Sequence, residues 1–299
     1  MTGHVLILGS SGRFGRNMAE AFWNAGWRVH LHDRATGDLM AEAREADVIV
    51  NGWNPAYPDW AAQLPGLTAR CIEAARVNDA TVLIPGNVYV YGKDAAPDFG
   101  PHLPHGAQNP LGRLRIEMEQ AYRDSGCRVI VLRAGDFLDT EASGNWFDRI
   151  LAPSLKKGVL TYPGNPDIPH AWAFLPDLAR AGVQLVERRE SLPHFADIAF
   201  PGYTLTGHEL AALCGGKVKR MSWLPIQLAR PVWRLAAPLL EMRYLWDKPH
   251  FMAPQSFAAV LPDFRATDPA EAVAQATAPV MASRGRPRQR DVGPAPAQA

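Results

Sequence analysis

Three glycines spaced three apart, Gly9, Gly12 and Gly15 in LILGSSGRFGRNMAEAF, are the residues of this chain best suited to hold an anion. Gly9 permits a tight turn, Gly12 lets backbone N–H groups approach a pyrophosphate, and Gly15 lets a helix pack closely on a strand. Ser10, Ser11, Arg13 and Phe14 complete that loop. Asp33 closes the next apolar run, WRVHLHDR, where a carboxylate accepts hydrogen bonds from both adenosine ribose hydroxyls. The acid favours NAD, whereas Arg34 beside it has the charge to pair with a 2′-phosphate, so NADP stays open. A second group of residues can move protons. It comprises Tyr89 and Tyr91 in GNVYVYG, His102 and His105 in a proline-rich stretch, Asp136 with Phe137 in RAGDF, and His170.

The elements that must position these residues follow from hydrophobic periodicity. Val5–Leu8, Arg28–His32, Asp47–Val50, Thr81–Ile84 and Arg128–Leu132 read as buried parallel strands. Between them lie helical patterns, such as Phe14–Ala25 with Phe14, Met18, Ala21, Phe22 and Ala25 on one face. The alternation predicts an α/β, Rossmann-type doubly wound parallel sheet with a smaller C-terminal substrate-binding region. The expected division is a dinucleotide-binding domain over 1–140, a mixed region over 141–281 that completes the sheet and forms the substrate lobe, and a disordered tail over 282–299. No internal repeat is present.

In order along the chain, GSSGRFG, ADVIVNGW, GNVYVYG, NPLGRLRIEME, VIVLRAGDF and HAWAFLPDLARA resemble the motifs of the extended or atypical short-chain dehydrogenase/reductases, the NAD-dependent epimerase/dehydratase superfamily. The resemblance covers residues 1 to about 275 and includes Asp177, which matches an Asp of the family's later segment. It implies that a Ser or Thr orients a carbonyl, a Tyr is the acid/base, and a Lys four residues on holds the nicotinamide ribose. Those positions here are Asn87, Leu111 and Arg115. Leu111 transfers no proton. Asn87 can still hydrogen-bond a carbonyl, and Arg115 keeps a charge for the ribose, so both stay in the candidate catalytic set.

Asn87, Tyr89 and Tyr91 alternate along what reads as a strand end and are expected to point one way, which makes Tyr89 the first substitute proton donor. Half-buried strand aromatics would show the same pattern. His102, His105, Asp136, Phe137 and His170 are expected to border the substrate, although loop histidines and loop-capping acids are common for other reasons. His170 stands where sugar-nucleotide members of the family often carry Arg, and Trp53, Trp146, Trp172 and Phe174 point to a more apolar pocket.

With 299 residues, 47% apolar content, 20% charge and a net charge of +1, the chain has the composition of an ordinary globular protein. Scattered lysines and arginines leave no footprint for nucleic acid or an anionic membrane across the chain as a whole. The segment Trp223–Trp246 is too rich in Pro and Arg to span a membrane and reads as helices over a pocket or at a subunit contact, with an interfacial helix the other option. Cys71, Cys127 and Cys214 suit reduced core thiols, and no metal site is expected. The absence of a leader pattern at the N-terminus fits the cytoplasm.

These readings converge on an NAD(P)-dependent oxidoreductase or epimerase-like protein acting on a small carbonyl or hydroxyl substrate without the usual Tyr-Lys pair. The alternative is a dinucleotide-binding sensor or scaffold without turnover. A homodimer through the helices at Thr68–Val77 and Leu111–Asp124 is implied by the resemblance alone.

Overall fold

Apolar runs that alternate with amphipathic stretches bury themselves as strands between helices, and the computed structural model, which describes residues 3–282, has that order. The chain runs β1 (His4–Leu8), α1 (Arg13–Asn24), β2 (Arg28–His32), α2 (Leu39–Ala43), β3 (Val48–Asn51), α3 (Trp60–Val77), β4 (Thr81–Gly86) and β5 (Asp98–Phe99). It continues through α4 (Pro110–Asp124), β6 (Val129–Arg133), β7 (Asp136–Leu138), β8 (Val159–Tyr162), β9 (His170–Phe174), α5 (Leu175–Glu187), β10 (Phe195–Ala199), β11 (Tyr203–Leu205) and α6 (Gly207–Leu213). Then come β12 (Lys217–Arg220), α7 (Leu224–Ala229), α8 (Ala236–Glu241), β13 (Phe251–Met252), α9 (Gln255–Val260) and α10 (Pro269–Ala282). Ala282 ends a helix, and the rest of the segment expected to be a tail lies outside the described residues.

Six strands form one parallel sheet in the order β10-β6-β4-β3-β1-β2. Helices α1 and α5 pack together on one face, where Phe14, Met18 and Phe22 meet Leu178 and Leu185. On the other face α2, α3 and α4 bury Leu39, Leu64, Ile72, Met118 and Tyr122. Compared with the 3-2-1-4-5-6 arrangement, the sheet lacks the strand beyond β2 and gains β10 at the opposite edge, which keeps the count at six. Residues 34–47 supply only turns and the five-residue α2, so β2 ends the sheet and Leu31 is 52% exposed.

The glycine loop is seated by backbone on backbone. A Cβ on Gly15 would lie 2.3 Å from the Gly9 carbonyl oxygen, and one on Gly52 would lie 2.7 Å from that of Leu8. Gly9 itself has φ +75°, a left-handed conformation that Gly adopts without strain. Beyond β7 the chain builds a smaller lobe around Phe147, Leu160, Tyr162, Trp172, Trp223 and Trp246, with the short sheets β11-β9-β7 and β12-β8. Strand β10, which follows β9 in sequence, returns to complete the main sheet. All three cysteines are free thiols, and burial pushes the Cys71 thiol up to about 12.

Arg133, at the end of β6, is fully buried and joins four elements. It donates to both carboxylate oxygens of Glu119 in α4 at 3.1 and 2.6 Å, to both of Asp197 in β10 at 3.1 and 2.7 Å, and to the Asn87 carbonyl just past β4 at 2.6 Å. Burial opposes the guanidinium charge, but the two carboxylates outweigh it and hold the pKa well above the usual value. Arg133→Met would leave Glu119 and Asp197 buried without their cation. The expected loss is about 3–5 kcal/mol of unfolding free energy, read from the urea midpoint at neutral pH.

Candidate functional site

The loop after β1 presents an open helix N-terminus. Gly12 is the N-cap of α1 without a side-chain cap, and no acidic residue lies in the first turn. The first N–H groups of a helix have no intrahelical acceptor, so they suit an incoming phosphate. Ser11 and Gly12 are exposed and Ser10 is partly so, while Phe14 and Gly15 are buried against the sheet. Arg13 reaches across to the Ser143 carbonyl at 3.0 Å, and Arg16 holds both oxygens of buried Asp139 at 2.8 and 3.0 Å. Asp33 is exposed at the end of β2, with its carboxylate accepting from the Ala35 N–H and the Thr36 hydroxyl, each at 2.9 Å. These hydrogen bonds hold its pKa below the usual carboxylate value. Each carboxylate oxygen keeps a further lone pair for a ribose hydroxyl. Arg34 is exposed beside it.

A second cluster lies past the ends of β3, β4 and β6. The Tyr89 and Tyr57 hydroxyls are 2.6 Å apart, and both phenols are half-buried. Burial raises the pKa of each, that of Tyr89 further, and the negative charge of Asp136 acts in the same direction on both. Arg115 opposes these effects at both phenols, and Arg13 does so at Tyr57, so the glycine loop and the tyrosine pair share one electrostatic neighbourhood. At neutral pH the pair is uncharged and is a proton donor rather than a base.

Asp136 is hydrogen-bonded at 2.7 Å to Nε2 of His170, which is itself buried and stacked on Trp246 with centroids 4.4 Å apart. Gly135 makes this possible, since a Cβ there would lie 2.2 Å from the Ala171 carbonyl oxygen. His250 packs edge-on against His170 and donates from Nδ1 to the Lys248 carbonyl at 3.0 Å.

The strand-end reading of residues 87–91 is corrected by the structure. Strand β4 stops at Gly86, and Tyr89–Tyr91 is a single 3-10 turn. The Asn87 side-chain carbonyl accepts the Tyr89 N–H at 3.0 Å, which turns the chain and breaks the alternation. Tyr89 therefore faces Tyr57 and Trp60, whereas Tyr91 is buried and stacks on Phe99 at 4.7 Å. Leu111 belongs to the core, and its N–H donates to Glu241 at 2.7 Å. Arg115 is buried, lies 4.1 Å over the Trp60 ring and donates to Asn54 at 2.6 Å, with its Nε unpartnered.

His102 is on the surface, paired with Asp98 at 3.0 Å. His105 faces Tyr91 and approaches Glu119 at 3.6 Å, away from the tyrosine pair. His105, Glu119 and Asp197 have metal-like proximity, but Arg133 binds both carboxylates and already supplies the cation. Phe137 is partly buried against the core of α1 and α5, and Trp172 and Phe174 are core residues of the lobe. Asp177 accepts from the Thr267 N–H at 2.7 Å and from Arg180 at 2.6 Å, tying down the chain before α10. Tyr57, Asn54 and Trp60 are the site residues that the motif reading missed. Their signal was the aromatic segment WNPAYPDW directly after a parallel strand, where such folds place ligand contacts.

No protein-family model and no curated protein matches this chain. Solved structures share its fold. UDP-N-acetylglucosamine 4-epimerase from Bacillus cereus aligns at a TM-score of 0.72 and 15% identity over 96% of this chain and 99% of its own. The Bordetella bronchiseptica enzyme WbmH in complex with NAD+ aligns at 0.69 and 17% over 94% and 99%. UDP-glucose 4-epimerase from Brucella ovis in complex with NAD aligns at 0.60 and 18% over 74% and 86%.

Burial, with His170 and Lys248 contributing, lowers His250 from 6.5 to about 3, so the folded chain keeps it neutral while the unfolded chain protonates it. The unfolded state then binds more protons between those values, and stability falls as pH drops from about 6.5 towards 3. His250→Phe is expected to flatten that part of the profile, measured as urea midpoints against pH in parallel with the wild type.

Proposed function

We propose that this chain is an NAD(P)-dependent oxidoreductase of epimerase- or dehydratase-like type that acts on a small hydroxyl or carbonyl substrate. The observation that carries the reading is the Tyr57–Tyr89 pair, 2.6 Å between hydroxyls, on turns that follow β3 and β4 in a fold shared with an NAD-bound epimerase. Gly9, Ser10, Ser11, Gly12, Arg13 and the N-terminus of α1 would hold the pyrophosphate, and Asp33 the adenosine ribose. The uncapped, acid-free first turn of α1 fits that role. A bound nicotinamide supplies hydride exchange at a carbon of the substrate.

The chain's own residues supply the rest. Tyr89 donates its hydroxyl proton to the substrate oxygen, Tyr57 passes its own proton to the Tyr89 oxygen along the hydrogen bond, and solvent reprotonates Tyr57. Asn87 is turned by its own carbonyl, which leaves its NH2 to orient the substrate. Asp136, fixed by His170, borders the same space. Arg115 fixes Asn54 and Trp60 and contributes positive charge, with the nicotinamide ribose as its proposed partner. The proposed location is the cytoplasm. A homodimer through α3 and α4 is part of the reading, with Ala62, Gly66 and Ala69 exposed along α3. The binding-only alternative draws on the burial of Leu111 and Arg115, which leaves the family's acid/base position without a proton.

Turnover is sought with NADH and NADPH against a panel of carbonyl compounds, together with analysis of any cofactor that copurifies. Tyr89→Phe is expected to lower kcat by about 10²–10⁴-fold, and Tyr91→Phe by far less. Failure to find a substrate or a bound cofactor, with Arg115→Ala still weakening NAD(H) binding, would establish the binder. Turnover that survives Tyr89→Phe would move the proton donor to Asp136 or water.

Asp33 is expected to make NADH bind more tightly than NADPH, and Asp33→Ser to narrow or reverse the gap by freeing Arg34 for the 2′-phosphate. Dissociation constants from nucleotide fluorescence check this, and a wild-type preference for NADPH would refute it.

A further inference from the structure

The segment from β12 through α8 leaves a concentration of apolar side chains that none of the three cores covers. Within it Leu224 is 57% exposed, Leu228 72%, Val232 88% and Trp233 39%, half of the large exposed hydrophobics among the described residues. Scattered exposed apolar residues need no partner, but four on one short segment make a patch. The same stretch carries Lys217, Lys219, Arg220, Arg230 and Arg234 and has no carboxylate from Lys217 to Leu240. Arg234 is paired with Asp59 at 2.8 Å, and Arg220 approaches Asp247 at 3.9 Å. Lys217, Lys219 and Arg230 are exposed with no acidic partner among the described residues. Although the chain as a whole is nearly neutral, residues 217–240 combine five cations and no acid with its most exposed apolar side chains.

We propose that the packed pair α7 and α8, with β12 preceding it in the chain, docks on an anionic lipid bilayer. Exposed Leu, Val and Trp flanked by unpaired Lys and Arg is the composition that enters a headgroup region, with the apolar side chains below the phosphates and the cations among them. The seat is peripheral, since no helix among the described residues is long and apolar enough to cross a membrane. A second copy of the chain is a poorer occupant. A two-fold contact sets the patch against itself, and Lys217, Lys219 and Arg230 would meet like charges with no acid to pair them. The Arg234–Asp59 bond ties the patch to the turn that carries Tyr57, so docking turns that rim of the candidate site towards the lipid.

The test is co-sedimentation of the full chain with vesicles of phosphatidylcholine, with and without phosphatidylglycerol. Sedimentation equilibrium is run without lipid. The wild type is expected to pellet with the anionic vesicles only, and less so as salt rises. Leu228→Asp and Val232→Asp, both on exposed positions, are expected to abolish pelleting. Each of Lys217→Gln and Lys219→Gln is expected to weaken partitioning about fivefold. Trp23→Ser, which removes an exposed aromatic at 70% exposure elsewhere on α1, is expected to change nothing. The arginines between 284 and 290 are present in every variant, so pelleting that survives Leu228→Asp and Val232→Asp overturns the proposal. So does an absence of pelleting, or a lipid-independent dimer that Val232→Asp dissolves.

Discussion

A single buried cation organises the carboxyl end of this sheet. Arg133 is enclosed by Glu119, Asp197 and the Asn87 carbonyl, so α4, β10 and the end of β4 are fixed relative to β6 by the same side chain. A guanidinium with two buried carboxylates is stable only while every partner keeps its geometry, because its alternatives are uncompensated charges. That demand extends to the turn after Asn87. The residue's backbone carbonyl is held by Arg133 while its side-chain carbonyl holds the Tyr89 N–H, so Tyr89 is placed by a chain of hydrogen bonds that starts in the core.

Position 111, near the start of α4, carries Leu rather than Tyr, and the one tyrosine of that helix, Tyr122, is buried in the core. At the second residue of α4, Leu111 has joined the core, and its N–H is taken by Glu241 from the lobe. Arg115, one turn on, is drawn beneath Trp60 and holds Asn54. The paired hydroxyls of the candidate site lie on two turns, at Tyr57 and Tyr89, that follow neighbouring strands. Turns after parallel strands lie at the same carboxyl edge of the sheet as the start of α4.

What could be read from the sequence was local. Glycines at fixed offsets, a strand, a helix and a terminal acid lie within the first 33 residues, and each imposes its conformation without help from elsewhere. The parallel sheet was legible for the same reason, through runs such as VLIL and VIVL. The turn at Asn87 was not, because an Asx hydrogen bond and an alternating strand both accommodate the pattern N-x-Y-x-Y, and only the pull of Arg133 on the Asn87 carbonyl distinguishes them. Tyr57 was hidden by distance, lying 32 positions before the hydroxyl it bonds. Asp177 looked like a motif residue and proves to tether Thr267, while His102 and His105 proved to be a surface pair with Asp98 and a neighbour of the Arg133 network.

The other wall of the site depends on a different constraint. Gly135 lets the chain before β7 touch the Ala171 carbonyl, and Gly164 does the same for the carbonyl of Trp246, where a Cβ would lie 2.1 Å away. These approaches press His170 between Trp246 and His250 and leave Asp136 as its hydrogen-bond partner. The tyrosine pair is thus positioned through ionic contacts in the sheet, and Asp136 through backbone approach in the lobe. Burial is the main reason both phenols keep their protons, and the Asp136 carboxylate adds to it in the same direction.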